Sequence, residues 1–349
     1  MLSTSLIIAA LLVGGMGATA RQALSVSLAG TEHFVGVANA VVSATVTNTG
    51  DETVKLLNAP NSVLSRGPTD AFAIASADGK VPRFHGLFAK YTPHPGKAFT
   101  VLEPGQSVTV EHLLADAYDF TQSGAGAYRI DVAADFYLAT NEGVKTLTAS
   151  VSPHTALLTG DLVKRASLPP PSLSAFSDCT AAHQTALKAA SASADPLVRD
   201  ATAYLSAHTS ETPTARYETW FGAAPTAANY SHVASVFDKL SVTSFTAHTY
   251  ECVSAARCAG VSDSEAFTRP DTPGHFFVCP PFYTAPTSGT ESQPGILVHL
   301  ATHWDAIGHT GHWGDGVGDS KALAISNPAL AIDNADSYEF FAENSPQLA

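Results

Sequence analysis

The sequence predicts two domains of different construction, an antiparallel β-sandwich followed by a helix-rich α+β domain. Three observations point there. Apolar and polar residues alternate in the first half; alanine-rich segments with helical spacing fill the second; a dibasic pair beside a proline run separates them near residue 165.

In the first half Val42, Ala44 and Val46 alternate with Ser43, Thr45 and Thr47, and Tyr128, Ile130 and Val132 alternate with polar partners. Half-buried strands require this period of two. Asn48-Thr49-Gly50-Asp51 and Pro104-Gly105 supply turns between such runs. Lys164-Arg165 then precedes Leu168-Pro169-Pro170-Pro171, a stiff segment that joins neither a helix nor a central strand. An exposed dibasic linker at such a boundary is a place for a processing protease to cut. Beyond it, residues 179–192 and 198–208 read as helices.

Composition narrows the function classes. The 349 residues are 45% hydrophobic and 14% charged, enough to bury real cores. Eighteen basic residues against 31 acidic ones give a formal net charge of −13, which argues against a nucleic-acid or anionic-membrane partner and favours cationic ligands. An apolar run from Leu6 to Val13 ends in Ala18-Thr19-Ala20, the pattern of a secretory signal peptide over residues 1–20. The expected protein is therefore secreted and extracellular. Its four cysteines, Cys179, Cys252, Cys258 and Cys279, lack a C-x-x-C pair, so two disulfides are expected rather than a cysteine metal site, with three connectivities open. Asn229-Tyr230-Ser231 is a glycosylation sequon.

The chemistry concentrates in residues 296–304, where His299 and His303 lie four apart. On a helix both imidazoles project from one face a turn apart and can reach one zinc ion. His309 and His312 follow closely, so a third nitrogen ligand is within reach.

Several segments together carry a resemblance: Arg216 to Gly222, Phe277 to Cys279, Gly289-Thr290-Glu291-Ser292, the histidine pair, and the ending from Ser326-Asn327-Pro328 through Asn334-Ala335-Asp336-Ser337-Tyr338-Glu339 to Asn344. The chain is similar over nearly its whole length to the deuterolysin family of aspzincin zinc proteases, and within it to the fungal peptidyl-Lys metalloendopeptidases. The resemblance implies a β-sandwich pro-domain over 21–165, cut after Lys164-Arg165, and a zincin-like metallopeptidase domain over 166–349. It also implies disulfides Cys179–Cys252 and Cys258–Cys279, one zinc ion, and a pocket in which Asp336 and Glu339 receive the ammonium of a Lys-containing peptide or protein. A monomer with no nucleic-acid or membrane partner is expected.

The family signature, HExxH followed by G-T-x-D-x-x-Y-G, is only partly kept. His299 and His303 match the zinc histidines, but Leu300 stands where the general-base glutamate belongs. In the second motif Thr310 and Gly316 are retained, while His309 replaces the first glycine, His312 the aspartate ligand and Asp315 the oxyanion-stabilising tyrosine. His299, His303 and His312 make a three-imidazole set; His309, six residues after His303, is the rival third ligand, although Ala306 replaces the glycine of the metzincin pattern. Leu300 cannot accept a proton, and a general base contributes roughly 10²–10⁴-fold in rate. Asp305 and Asp315 are the substitutes available. The leading expectation is a zinc-binding but hydrolytically impaired member. The alternatives are an active, noncanonical Lys-directed endopeptidase and an extracellular metal-sequestering protein.

Overall fold

A computed structural model describes residues 21–163 and 175–348. The signal-peptide segment and Lys164-Arg165 lie outside the described residues.

The first half is β-rich. Val41–Asn48 lies between Leu24–Gly30 and Ser107–Leu113, with Val42, Ala44 and Val46 fully buried and the intervening threonines outside, where Thr45 and Thr109 hydrogen-bond across the strands. The predicted turn follows: Asn48 accepts from the Gly50 amide and donates to the Leu102 and Glu52 carbonyls. Three four-stranded sheets surround this core, and their pairing departs from the all-antiparallel expectation. Ser150–Ser152 runs parallel to Leu24–Gly30 and His154–Thr159 parallel to His33–Val35. The two ends of the half thus meet side by side, each covering an edge of the other.

The second half is helical around a small sheet. Helix α1 (Ala181–Ala207) is continuous where two helices were expected, with Pro196 inside it. Proline removes one backbone hydrogen bond. The buried stripe Leu187, Ala190, Ala194, Val198, Ala201 and Leu205 continues through it, so packing overrides the local break. The other helices are α2 (Ala215–Phe221), α3 (Ala227–Ser241), α4 (Ala255–Ala259), α5 (Gln293–Thr302), α6 (Gly316–Ser326), α7 (Pro328–Ala331) and α8 (Ala335–Glu343). Asn229 sits half-buried on the first turn of α3, not on a loop. Disulfides join Cys179 to Cys252 and Cys258 to Cys279. Among the described residues no helix is long and apolar enough to cross a membrane.

One strand crosses between the halves. The sheet of the helical half runs Phe176–Ser177, Thr249–Cys252, His275–Val278, Ala266–Thr268, and its last strand, Phe88–Lys90, comes from the β-rich half. It pairs antiparallel with Ala266–Thr268, Lys90 opposite Ala266 and Phe88 opposite Thr268. The composition change near residue 165 does not mark the edge of this sheet.

Candidate metal centre

Helix α5 carries the histidine pair, and all ten of its residues are buried. Ser292 caps it, its hydroxyl accepting from the Gly295 amide, and Pro294 lies in the first turn. The Glu343 carboxylate closes the same end, accepting from the Glu291 and Ser292 amides and the Ser292 hydroxyl. A Cβ at Gly295 would lie 2.0 Å from Glu343 Oε1, so a side chain there would displace this carboxylate. Burial pushes the Glu343 carboxyl up to about 7.

The chain then folds back on the end of α5. Thr302 and Thr310 share a hydroxyl hydrogen bond of 2.7 Å, and the Gly308 and Thr310 amides donate to the Thr302 carbonyl. Asn334 accepts from the Trp313 and Gly314 amides, tying this loop to the start of α8. The result brings His312, thirteen residues from His299 in sequence, against the helix pair.

Three imidazoles converge. His299 Nε2 lies 3.2 Å from His303 Nε2 and 3.3 Å from His312 Nε2. His303 Nδ1 donates to the Thr310 carbonyl at 2.7 Å, and His312 Nδ1 to the Asp70 carboxylate at 2.9 Å. His299 Nδ1 faces Asp336 and Glu339 at 3.4 and 3.2 Å. His303 and His312 thus each have an acceptor that holds the Nδ1 proton and frees the Nε2 lone pair, whereas His299 Nδ1 lies near the two carboxylates without a hydrogen bond; the three Nε2 atoms point at one another. Tetrahedral zinc with Zn–N near 2.0–2.1 Å needs ligand nitrogens about 3.3 Å apart, and the spacing here fits that ion. Burial, and then the nearby Lys90 and His312 charges, hold His299 well below the usual imidazole range; burial and the two neighbouring histidines do the same for His303. Burial alone would also lower His312, but the charge and hydrogen bond of Asp70 raise it overall.

The other expected positions divide. His309 is exposed, with left-handed backbone (φ 50°), and its Nδ1 bonds Asp305 at 2.6 Å, outside the imidazole cluster. Asp305 is also ion-paired with Arg83 of the β-rich half. Leu300 is fully buried in the apolar core with Leu297, Val298 and Ala301. Asp315 accepts from Tyr137 at 2.8 Å and Asn61 at 3.0 Å, and burial, with Asp336 adding to it, pushes its carboxyl up to about 6.

Asp336 and Glu339 project from α8 and are buried, 1% and 0% exposed. Between them stands Lys90, itself 1% exposed, with Nζ 2.6 Å from Asp336 and 2.7 Å from Glu339. Burial opposes the ammonium charge, but the two carboxylates and Glu291 outweigh it and raise Lys90 well above the usual lysine range. Burial pushes Glu339 well up, with Lys90 opposing it. Two residues earlier, the Phe88 ring stacks on His303 at 4.2 Å. Lys97 further secures the contact by binding Glu265 at 2.7 Å. A strand of the β-rich half thus lies along the metal centre with its lysine in the acidic pocket. Lys90, Phe88, Asp70, Asn61 and Tyr137 escaped the sequence reading; the one visible signal was a lysine inside the apolar run Phe88-Ala89-Lys90-Tyr91.

Comparison with known proteins shows the family. A family model described as lysine-specific metallo-endopeptidase matches residues 204–343. A peptidyl-Lys metalloendopeptidase of Grifola frondosa is 38% identical over 98% of this chain and 99% of its own length. One from Armillaria mellea is 39% identical over 99% and 98%. A solved zinc peptidase from Grifola frondosa, 33% identical, aligns with 49% of this chain and 100% of its own at a TM-score of 0.46. With such identity maintained from end to end, the chain belongs to the lysine-specific metallo-endopeptidase family of aspzincin zinc proteases.

Proposed function

We propose that this chain is a secreted, zinc-binding, Lys-directed peptidase homologue whose hydrolytic step is impaired and whose β-rich half serves as its pro-region. The observation that carries the reading is the buried Lys90 ammonium held between Asp336 and Glu339 beside three converging imidazoles. A pocket that offsets the desolvation of one lysine with paired carboxylates suits the lysine of a peptide equally well. The pairing of Phe88–Lys90 with the edge Ala266–Thr268 has the form of peptide recognition by strand addition.

His299, His303 and His312 are the residues that would hold the metal. Zinc bound there would supply a polarised carbonyl and an acidified water. Asp336 and Glu339 would orient the peptide through its lysine. Leu300 offers no atom to take up or deliver a proton, and Asp315 no hydroxyl to donate to an oxyanion, so two contributions of the family's chemistry are missing. Latency follows from the same contacts: while Lys90 fills the pocket and Phe88 covers His303, a substrate has no access. Cleavage at Lys164-Arg165 would be the step that permits release.

The active, noncanonical alternative has one observation in its favour. Asp315, with its carboxyl pushed up to about 6, would lose its Tyr137 and Asn61 partners on release and become a candidate base. A single experiment tests these readings: zinc content and cleavage of a Lys-containing peptide by the form cut after Arg165. The proposal expects about one zinc ion and feeble cleavage. Robust, chelator-sensitive cleavage would overturn the impairment, and its loss in Asp315→Asn would identify Asp315 as the base.

A further inference from the structure

His312 raises a problem that an aspartate in its place would not. A carboxylate offers either oxygen to a metal ion, whereas an imidazole must present one particular nitrogen, unprotonated and in the right plane. Among the described residues of the helical half, none provides that constraint at Nδ1. The acceptor is Asp70 of the β-rich half, 242 residues away in sequence, with Oδ2 2.9 Å from His312 Nδ1. His312 is 4% exposed in its side chain and Asp70 17%, so water competes weakly for the bond.

The surroundings of Asp70 indicate that it is placed for this contact. Its second oxygen, Oδ1, is buried with no hydrogen-bond partner among the described residues. An aspartate serving only to stabilise its own domain would be expected to have that oxygen satisfied, because a buried carboxylate oxygen without a partner is costly. Among the described side-chain hydrogen bonds, the one made by this carboxylate goes to His312. The neighbouring Phe88 ring packs edge-on to His312 at 5.7 Å and face-on to His303, so the β-rich half restricts both imidazoles.

We propose that Asp70 is a positioning residue of the metal centre: its carboxylate holds the Nδ1 proton of His312 and turns Nε2 toward the ion, so the two halves of the chain complete the site together. The inference rests on the three-imidazole reading above. Carboxylate partners of metal-bound histidines fix the tautomer and ring plane and raise the basicity of the ligand nitrogen, and their loss lowers metal affinity roughly 10–100-fold. Asp70 touches no substrate and acts only through His312.

The test measures zinc affinity of the full chain by chelator competition, with cobalt substitution reporting the ligand field. Asp70→Ala should weaken zinc binding about 10–100-fold and alter the cobalt spectrum, and Asp70→Glu should recover part of the loss. The decisive arm is His312→Asp. There the third ligand is a carboxylate with no Nδ1 to hold, so adding Asp70→Ala should leave affinity unchanged or improve it by removing a like charge. Equal losses from Asp70→Ala in both backgrounds would show that Asp70 acts through domain contact in general, and would overturn the proposal. So would unchanged affinity in Asp70→Ala while His299→Ala abolishes binding. Zinc binding that survives His299→Ala would instead overturn the metal-site reading itself, which keeps the two failures distinct.

Discussion

Replacing Lys90 by methionine tests the contact between the halves most directly. The substitution keeps an unbranched chain of similar reach and removes only the ammonium, which lies 2.6 Å from Asp336 and 2.7 Å from Glu339 with all three side chains at most 1% exposed. Removing one member of a buried ion pair costs about 3–5 kcal/mol, because the partners stay buried and uncompensated. The halves are one chain, so the cost appears first as opening: the docked population should fall roughly 10²–10⁴-fold relative to the open one. Its pH dependence has a definite sign. Burial already raises Glu339 and Lys90 opposes that rise, so losing Lys90 raises Glu339 further. A carboxyl with a raised folded-state value contributes stability that is complete below its unfolded value and is lost as pH rises through the folded one. The Lys90→Met defect should therefore be small near pH 4 and grow as pH rises toward 8. Binding of a fluorescent Lys-containing peptide to the uncut chain reads the opening, since the pocket becomes available. If Lys90→Met binds no more peptide than the parent near pH 8, or if its defect grows on acidification, the ion-pair account is wrong.

Three further outcomes are expected. His299→Ala and His303→Ala should abolish stoichiometric zinc by elemental analysis, while His309→Ala, whose ring faces Asp305 in solvent, should retain it. Leu300→Glu in the form cut after Arg165 should raise cleavage of a Lys-containing peptide, up to about 10²–10⁴-fold if the new carboxylate reaches the base geometry, and Asp315→Tyr should add to it; the same Leu300→Glu in the uncut chain should lower stability in urea, since the position is fully buried. The parent chain should lose stability between about pH 4.5 and pH 8 as Glu343, pushed up to about 7, ionises in the folded state; Glu343→Gln should flatten that part of a urea-midpoint profile, and an unchanged slope would remove Glu343 from the account.

Much of the fold was legible because the residues concerned answer to local rules. Alternation at Val42, Ala44 and Val46 reports a strand with one face buried, and that face is buried. The spacing of His299 and His303 reports two rings on one side of α5, and they meet. The gap left between residues 192 and 198 is absent, because a stripe of contacts from Leu187 to Leu205 carries one helix through Pro196. His312 and His309 could not be ranked from spacing, since the choice depends on how Thr302, Thr310 and Asn334 fold the intervening loop. The contacts of Asp70, Tyr137 and Lys90 leave no periodic trace at all. Each belongs to one half and finds its partner in the other, and sequence pattern reports faces, not the surfaces they will meet.

The strand Phe88–Lys90 also bears on the order in which the protein is made. It leaves the ribosome well before its partners, with Lys90 and Asp336 246 residues apart. The β-rich half has its own apolar core and can take shape first. When the helical half follows, its edge Ala266–Thr268 and the acidic pair on α8 meet a strand and a counter-charge already in place. A chain without the β-rich half would have to fold with that edge bare, exposed to pairing with other copies, and with two carboxylates forced into the interior unneutralised. Recovery of soluble protein from the helical half expressed alone should therefore improve when the β-rich half is supplied as a separate polypeptide.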